Sequence, residues 1–165
     1  YDKGAKSLTL HSTTQIPGIV RDKLSEIFDL PGPRVRVIAP DVGGGFGGKT
    51  SLYSEEIVAS AISRTLGKPI KWVSDRMEDL MTTGHAFDEV VYADIAVTKD
   101  GEIVGLKADV IGDVGAYSIY PWTATIEPVQ VVSFMPGPYR IENYAARVRA
   151  VATNKTLTGA YSCLL

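Results

Sequence analysis

Five glycines surround one phenylalanine at residues 43–48, in the segment VRVIAPDVGGGFGGKTSLYSEE. An apolar β-branched run precedes this cluster and a helix-like segment follows it, so the pattern predicts a glycine-rich loop between a strand and a helix. Each glycine raises the conformational freedom that folding must remove. A loop this rich in glycine is therefore expected where a ligand or another segment comes close to the backbone.

The residues around the loop predict alternating strands and helices. The predicted elements are, in order, a strand at residues 7–12, a helix at 19–28 that ends before Pro31, Gly32 and Pro33, a strand at 34–40, the glycine loop, a helix at 52–66, a strand at 69–76 and one or two helical turns within 76–84. The apolar spacing and the glycine and proline stops support these assignments. The first half of the chain therefore predicts βαβ-type units around the loop.

The second half switches to the two-residue period of β-strands. Alternating apolar residues at 91–97 and 103–115 flank an Asp-Gly turn at Asp100 and Gly101, which predicts an antiparallel hairpin. Residues 120–144 are rich in proline and aromatics and are expected to be irregular, and residues 145–155 read as a last strand. The predicted fold class is α+β, as one lobe of a domain that spans residues 1–165.

Composition limits the functions open to the chain. A formal net charge of −2 over 165 residues, with no long basic run, indicates neither nucleic-acid binding nor a polybasic membrane anchor. The longest apolar runs are far shorter than the roughly 18 residues that a membrane-spanning helix needs. The single cysteine, Cys163, excludes an intrachain disulfide and fits a reducing compartment. His11 and His85 lack a third ligand pattern, so no metal site made of side chains is predicted.

The glycine loop by itself permits three interpretations. Glycine-rich turns before a helix commonly bind phosphates through backbone N–H groups, and GGGFGGKT also satisfies the GxxxxGK[ST] pattern of nucleotide hydrolases. Those enzymes use an all-parallel sheet with an acidic residue on another buried strand, whereas the strand signals here turn antiparallel. A tight turn with no ligand is the third interpretation, although a mere turn does not require Phe46 at its apex.

The sequence resembles the large subunit of molybdenum hydroxylases, the family of xanthine dehydrogenase, aldehyde oxidase and carbon monoxide dehydrogenase. The segments APDVGGGFGGK, WVSDRMEDLMTTGHAFD and TNKTLTGAYSC carry the resemblance, which runs over essentially the whole chain. The similarity is to the first part of the molybdopterin-binding region, nearest the prokaryotic carbon monoxide dehydrogenase branch. It implies that this chain is a piece of a larger protein or one part of a split subunit.

The resemblance implies roles for particular residues. Gly44, Gly45, Phe46 and Gly47 would lie beside the molybdenum centre and the pyranopterin, with Phe46 among the catalytic residues. Gln15, in HSTTQIP, would be the catalytic glutamine that hydrogen-bonds toward an apical molybdenum ligand. Taken alone, Gln15 is equally well explained as a helix-entry residue ahead of Pro17.

The last motif departs from the family. The family carries an arginine that contacts substrate where Ser162 stands here, and a serine cannot replace a guanidinium group. In the carbon monoxide branch the next residue is a cysteine that carries a sulfur bridge to copper, which makes Cys163 a candidate cofactor-binding residue. The alternative is that a cysteine beside two leucines has no role in the site.

The resemblance also implies cofactors and partners. The cofactor would be molybdopterin with molybdenum, in the cytosine dinucleotide form, and FAD and 2Fe-2S clusters would lie on partner subunits. The partners would be the remainder of the large subunit and the flavin and iron–sulfur subunits, in the cytoplasm, with a homo-oligomer left open. The family's glutamate base lies beyond this sequence, so the isolated chain is expected to be inactive. The alternative is a non-catalytic remnant or assembly module of the same fold.

Overall fold

The computed structural model describes residues 1–122 and 125–160, which form two compact units. The first unit spans Tyr1–Thr83 and the second begins at Gly84. The first unit contains strand β1 at Leu8–His11, helix α1 at Pro17–Phe28, a 3₁₀ turn at Gly32–Arg34, strand β2 at Val35–Ile38, helix α2 at Ser54–Leu66 and helix α3 at Arg76–Thr82. The second contains strand β3 at Glu89–Val97, strand β4 at Ile103–Gly115, helix α4 at Ile126–Phe134 and strand β5 at Asn143–Ala152.

A βαβ arrangement organises the first unit. Strands β1 and β2 are parallel neighbours, with Leu8 opposite Val35, and α1 makes the connection between them. Pro17 stands in the first turn of α1, where its missing N–H costs no helical hydrogen bond, and Asp29 ends the helix in the left-handed conformation. The predicted strand, helix, strand and helix around the glycine loop are confirmed.

The core of the first unit lies between the two strands and α1. Leu8, Val20, Leu24 and Val35 are buried together, and Ile57 of α2 packs against them. Because the apolar side of α1 faces the strands, the ends of both strands are held at a defined position. The loops that follow β1 and β2 therefore start from fixed positions.

The largest contribution of a single side chain to this core is expected from Leu24, whose side chain is fully buried. Leu24→Ala should lower the free energy of unfolding of the first unit by about 3 kcal/mol, because it removes apolar packing and leaves a cavity. Ile27→Ala, three residues along α1 and 42% exposed, is the matched control and should cost less than about 1 kcal/mol. Urea denaturation of both variants measures the difference, and equal midpoints would contradict the assigned core.

The predicted strand at residues 69–76 is wrong. Residues 69–75 form neither helix nor strand, and Trp72 and Val73 are 47% and 70% exposed. A strand needs a neighbour to take up its backbone hydrogen bonds. No strand in the part of the first unit that the structure describes pairs with this segment. The segment therefore forms no β-strand, although its apolar residues alternate. Helix α3 follows and starts with a capping box in which Asp75 accepts from the Glu78 amide and Glu78 accepts from the Asp75 amide.

A three-stranded sheet with the order β3-β4-β5 forms the second unit. The predicted hairpin is confirmed, since β3 and β4 are antiparallel and the Thr98–Glu102 turn contains the Asp-Gly pair. Every second residue of β4 faces the core, and Leu106, Ala108, Val110 and Val114 are buried. The hydrophobic core of this unit therefore lies along the central strand.

Two expectations for the second unit need correction. Strand β5 pairs with β4 in the parallel direction, so the sheet is mixed and not purely antiparallel. The segment expected to be irregular contains α4, which packs on β4 and β5. Parallel neighbours need a long crossover, and α4 lies within it. The prolines of this segment argued against a helix in the sequence. Pro128, however, stands in the first turn of α4, where proline is tolerated.

Candidate functional site

Two loops leave the same edge of the β1–β2 pair. Because the strands are parallel, residues 12–16 after β1 and residues 39–53 after β2 begin side by side, and the Ser12 amide donates to the Ile38 carbonyl at 3.0 Å. Ligands of open α/β sheets bind outside the carboxyl ends of the strands for this reason. The first loop carries Gln15 and the second carries the glycine cluster, so the fold brings these candidates together.

Gln15 is joined to the glycine loop by reciprocal hydrogen bonds with Lys49. The Gln15 amide donates to the Lys49 carbonyl at 2.9 Å, and the Lys49 amide donates to Gln15 Oε1 at 3.2 Å. The buried Thr14 hydroxyl also donates to the Lys49 carbonyl, at 3.4 Å. Within the described residues Gln15 Nε2 has no hydrogen-bond acceptor, which leaves an amide donor at the loop surface.

Gly45 is required because the Gln15 side chain lies against it. A Cβ atom on Gly45 would come within 2.2 Å of Gln15 Cδ and 2.3 Å of Oε1. A Cβ on Gly44 would come within 2.8 Å of the Phe46 ring. The interpretation that an external cofactor alone requires these glycines is therefore incomplete, since two side chains of the protein itself occupy the space.

Phe46 stands at the apex of the loop in a strained and exposed position. Its φ of 49° is in the left-handed region, which is uncommon for a residue with a large side chain, and 75% of its surface is exposed. Gly44 and Gly47 on either side also have positive φ values, 119° and 82°. Strain held at an exposed aromatic side chain is typical of a ligand contact.

The loop offers unused backbone donors. Among the described residues, no acceptor is found for the amide N–H groups of residues 43–48, whereas several carbonyls of the same loop accept side-chain hydrogen bonds. The Thr50 and Tyr53 hydroxyls donate to the Gly47 and Gly48 carbonyls at 2.5 and 2.6 Å. A run of free N–H groups is suited to an anion or to oxygens on a cofactor. The donors, the flat ring of Phe46 and the amide of Gln15 fit a planar cofactor with polar oxygens.

The nucleotide-hydrolase interpretation does not match this geometry. Lys49 Nζ donates to the Val42 carbonyl at 2.8 Å, so the lysine closes its own loop. Helix α2 begins only at Ser54, with Tyr53 as its N-cap. In a P-loop the lysine reaches the phosphates and the helix starts at the end of the motif. The sequence GGGFGGKT matches the GxxxxGK[ST] pattern, but the loop does not have the P-loop conformation.

The start of α2 contains a half-buried carboxyl group that the sequence did not single out. Glu56 Oε1 accepts from the Ser12 hydroxyl at 2.5 Å and Oε2 accepts from the Tyr53 amide at 3.0 Å. Burial raises the pKa of Glu56, and the hydrogen bond from Ser12 partly opposes that shift. The usual capping signal was hidden because a tyrosine stands at the N-cap instead of serine or threonine.

The structure describes only some of the other residues considered in the sequence. Ser162 and Cys163 fall outside the described residues. His85 lies in the second unit, where its backbone pairs with Leu157 and Gly159. In the described part of the chain no group of three or more His, Cys, Asp or Glu side chains could hold a metal ion. No helix of residues 1–122 and 125–160 is long and apolar enough to cross a membrane.

A glutamine and a glycine loop with free amides, both at the carboxyl edge of a parallel strand pair, form a surface suited to a cofactor with polar oxygens. The family model of the molybdopterin cofactor-binding domain matches residues 1–164. The chain belongs to this family, the molybdopterin-binding domain of molybdenum hydroxylase large subunits, which confirms the resemblance found in the sequence.

Individual relatives agree with the family model. The chain is 40% identical to the carbon monoxide dehydrogenase large chain of Afipia carboxidovorans and 37% identical to that of Hydrogenophaga pseudoflava, over 98% and 99% of its length. It superimposes on the crystal structure of quinoline 2-oxidoreductase from Pseudomonas putida 86 with a TM-score of 0.90 and 35% identity, over 98% of its length. In all three comparisons the chain spans 20% of the relative's length.

Proposed function

We propose that this chain is the molybdopterin-binding segment of an oxidoreductase that hydroxylates an aldehyde, a heterocycle or carbon monoxide, with water as the oxygen source. The observation that carries the proposal is the cluster of Gln15, Phe46 and the free amides of residues 43–48 at one edge of the strand pair. The relatives named carbon monoxide dehydrogenase and quinoline 2-oxidoreductase support carbon monoxide and a heterocycle within this range.

The chain's own residues would hold the cofactor in distinct ways. The amides of Gly44, Gly45 and Gly47 would donate to its oxygens, and the exposed ring of Phe46 would lie against its flat surface. Gln15 would donate from Nε2, because its Oε1 is already held by the Lys49 amide. Cys163, outside the described residues, is proposed as a further cofactor contact.

When bound, the molybdenum centre would supply the electron acceptor and the Lewis acid. The protein's part would be to orient the cofactor and to place fixed donors where negative charge develops, which costs no reorganisation during the reaction. Gln15 is suited to this task because its side chain is held at both its oxygen and its backbone amide. A donor held in this way is already oriented before the reaction begins.

The proposal includes the setting that the sequence predicted. The cofactor would be the cytosine dinucleotide form, FAD and 2Fe-2S clusters would lie on partner subunits in the cytoplasm, and residues 1–165 would be part of a domain that is inactive alone. Exposed apolar side chains support a covering partner, since Met77 and Met81 of α3 and Ile95 of β3 are 61% or more exposed. The remainder of the large subunit is the proposed partner.

Gln15→Glu tests the proposal in the full-length protein purified with its partner subunits. The glutamate keeps an oxygen for the Lys49 amide but replaces the Nε2 donor with negative charge. Loss of a charge-assisted hydrogen bond should lower the molybdenum content at least about tenfold. Elemental analysis of molybdenum per mole of protein gives the result, and urea denaturation should show unchanged stability.

The wild-type protein should hold close to one molybdenum atom per chain. A wild-type protein without molybdenum would overturn the proposal and favour a remnant of the same fold. Equal molybdenum contents in wild type and Gln15→Glu would show that Nε2 makes no important contact. Asn154→Asp makes the same change from amide to carboxylate at an exposed residue of the second unit, and it should leave the molybdenum content unchanged.

A further inference from the structure

The glycines of the loop have no side chains that could hold its conformation, so side chains of other residues must hydrogen-bond to its backbone. Besides the Thr14 hydroxyl, which donates to the Lys49 carbonyl, three side chains donate hydrogen bonds to its carbonyls: Lys49 to Val42, Thr50 to Gly47 and Tyr53 to Gly48. Lys49 and Thr50 belong to the loop itself and close it locally. Tyr53 differs, because it is the N-cap of α2 and so links the loop to a regular element.

Tyr53 is itself held in place by α2 and by the end of β1. Its amide donates to Glu56 Oε2 at 3.0 Å, and Glu56 Oε1 accepts from Ser12, the residue after β1. Helix α2 packs on the core of the first unit through Ile57. A connected set of hydrogen bonds therefore runs from the strand edge through Glu56 and Tyr53 to the carbonyl of Gly48.

We infer that Tyr53 is a positioning residue: its hydroxyl holds the Gly48 carbonyl and thereby fixes the direction of the free amides and the position of Gln15. The next residue, Lys49, makes the reciprocal hydrogen bonds with Gln15, so movement at Gly48 is transmitted directly to Gln15. This inference rests on the proposed function only in naming the cofactor as the ligand that the loop receives. Sites held by a second layer of hydrogen bonds on rigid elements keep the geometry that binding requires.

Tyr53→Phe tests the inference, because it removes the hydroxyl and keeps the aromatic ring. The first measurement is hydrogen–deuterium exchange of a peptide covering residues 42–52 in the full-length protein prepared without cofactor. The Lys49 and Thr50 amides, which are hydrogen-bonded in this loop, should exchange about tenfold faster than in the wild type. The urea midpoint should be unchanged, because the hydrogen bond that is removed lies in a loop and outside the core.

The second measurement is molybdenum content in protein purified from the native host. We expect Tyr53→Phe to lower it at least about threefold, and a matched control, Tyr144→Phe, to leave it unchanged. Tyr144 makes the same type of bond, a hydroxyl donating to the Val132 carbonyl at 2.5 Å, in the second unit. A lower urea midpoint in Tyr53→Phe together with faster exchange throughout the first unit would indicate a merely structural role and overturn the inference.

Other outcomes separate this inference from the proposed function. Unchanged exchange in Tyr53→Phe would overturn the inference, whatever the molybdenum content. Faster loop exchange with full molybdenum content would overturn the positioning role. Wild-type protein without molybdenum would refute the proposed function, while the exchange comparison would still decide whether Tyr53 holds the loop. Glu56→Gln is a second variant: it keeps one carbonyl oxygen acceptor, and it should speed exchange of the same peptide if the set of bonds is connected.

Discussion

Gly45→Ala is expected to abolish molybdenum retention while leaving the protein folded. The added Cβ would come within 2.2 Å of Gln15 Cδ, so the Gln15 side chain must leave its place. Gln15 is exposed and its side chain is held by one hydrogen bond, from the Lys49 amide at 3.2 Å, so its displacement should cost little stability. Its departure breaks the hydrogen bond with the Lys49 amide and removes the Nε2 donor from the loop.

The size of the effect follows from the number of cofactor interactions that this change removes at once. Gln15 and the glycine loop are proposed to hold the cofactor as a unit, so the molybdenum content of Gly45→Ala should fall at least about a hundredfold. The free energy of unfolding should change by less than about 1 kcal/mol, because no core residue moves. Elemental analysis and urea denaturation of the same preparation measure the two quantities.

Gly48→Ala is the matched control within the same loop. Neither Gly45 nor Gly48 has a positive φ, but a Cβ on Gly48 would meet only the Gly45 carbonyl, at an ordinary 3.5 Å. This variant should therefore keep most of its molybdenum. If both variants retained the metal equally, the contact between Gly45 and Gln15 would have no part in cofactor binding.

Gly115→Ala is expected to unfold the second unit under mild conditions. Gly115 ends β4 with a φ of +71°, and a Cβ there would lie 2.5 Å from both the Leu157 Cα atom and the Thr156 carbonyl oxygen. Unlike a side-chain tip, these backbone atoms cannot move aside cheaply. The Gly115 amide donates to Asp113 at 2.7 Å and its carbonyl accepts from Thr153 at 3.0 Å, so the glycine cannot shift either.

The expected decrease is about 4 kcal/mol in the free energy of unfolding, from the left-handed backbone and the clash together. Gly101→Ala separates the two causes, since Gly101 has a φ of +87° but nothing within 4 Å of its Cβ position. That variant should be destabilised by only about 1 kcal/mol. Urea denaturation followed by circular dichroism compares them, and equal decreases would show that the packing around Gly115 is not tight.

Periodicity and turn chemistry were enough to predict most elements. Alternating apolar residues around Asp100 and Gly101 predicted the β3–β4 hairpin. The spacing of apolar residues, with Pro31 and Pro33 after them, predicted α1. These signals are local, because each depends on residues that are neighbours along the chain. The segment at residues 69–75 shows the limit of such signals, since its pattern was suitable for a strand but no partner strand was found in the described part of the first unit.

The family could also be recognised from the sequence, because the glycine loop and two further segments occur in the family's order. The sequence could not show why a particular position of the loop must be glycine. The sequence placed Gln15 and Gly45 in one site through resemblance alone, whereas the structure shows that the Gln15 side chain occupies the space beside Gly45. Nothing in the local pattern around either residue indicates that contact.

The sequence by itself determined the α+β class, the position of the glycine loop between a strand and a helix, and the family to which the chain belongs. Tertiary structure alone decided that β5 lies parallel to β4, that Lys49 binds Gln15 and closes its own loop, and that Tyr53 and Glu56 support that loop. The physical reason is the range of the interactions. Helices, turns and hairpins arise between near neighbours, whereas the Gln15–Lys49 and Ser12–Glu56 hydrogen bonds and the β4–β5 pairing join residues at least 34 positions apart, which meet only when the strands and helices have packed. The shorter hydrogen bonds of Lys49 and Tyr53 within the loop follow no periodic pattern or turn signature that the sequence could show.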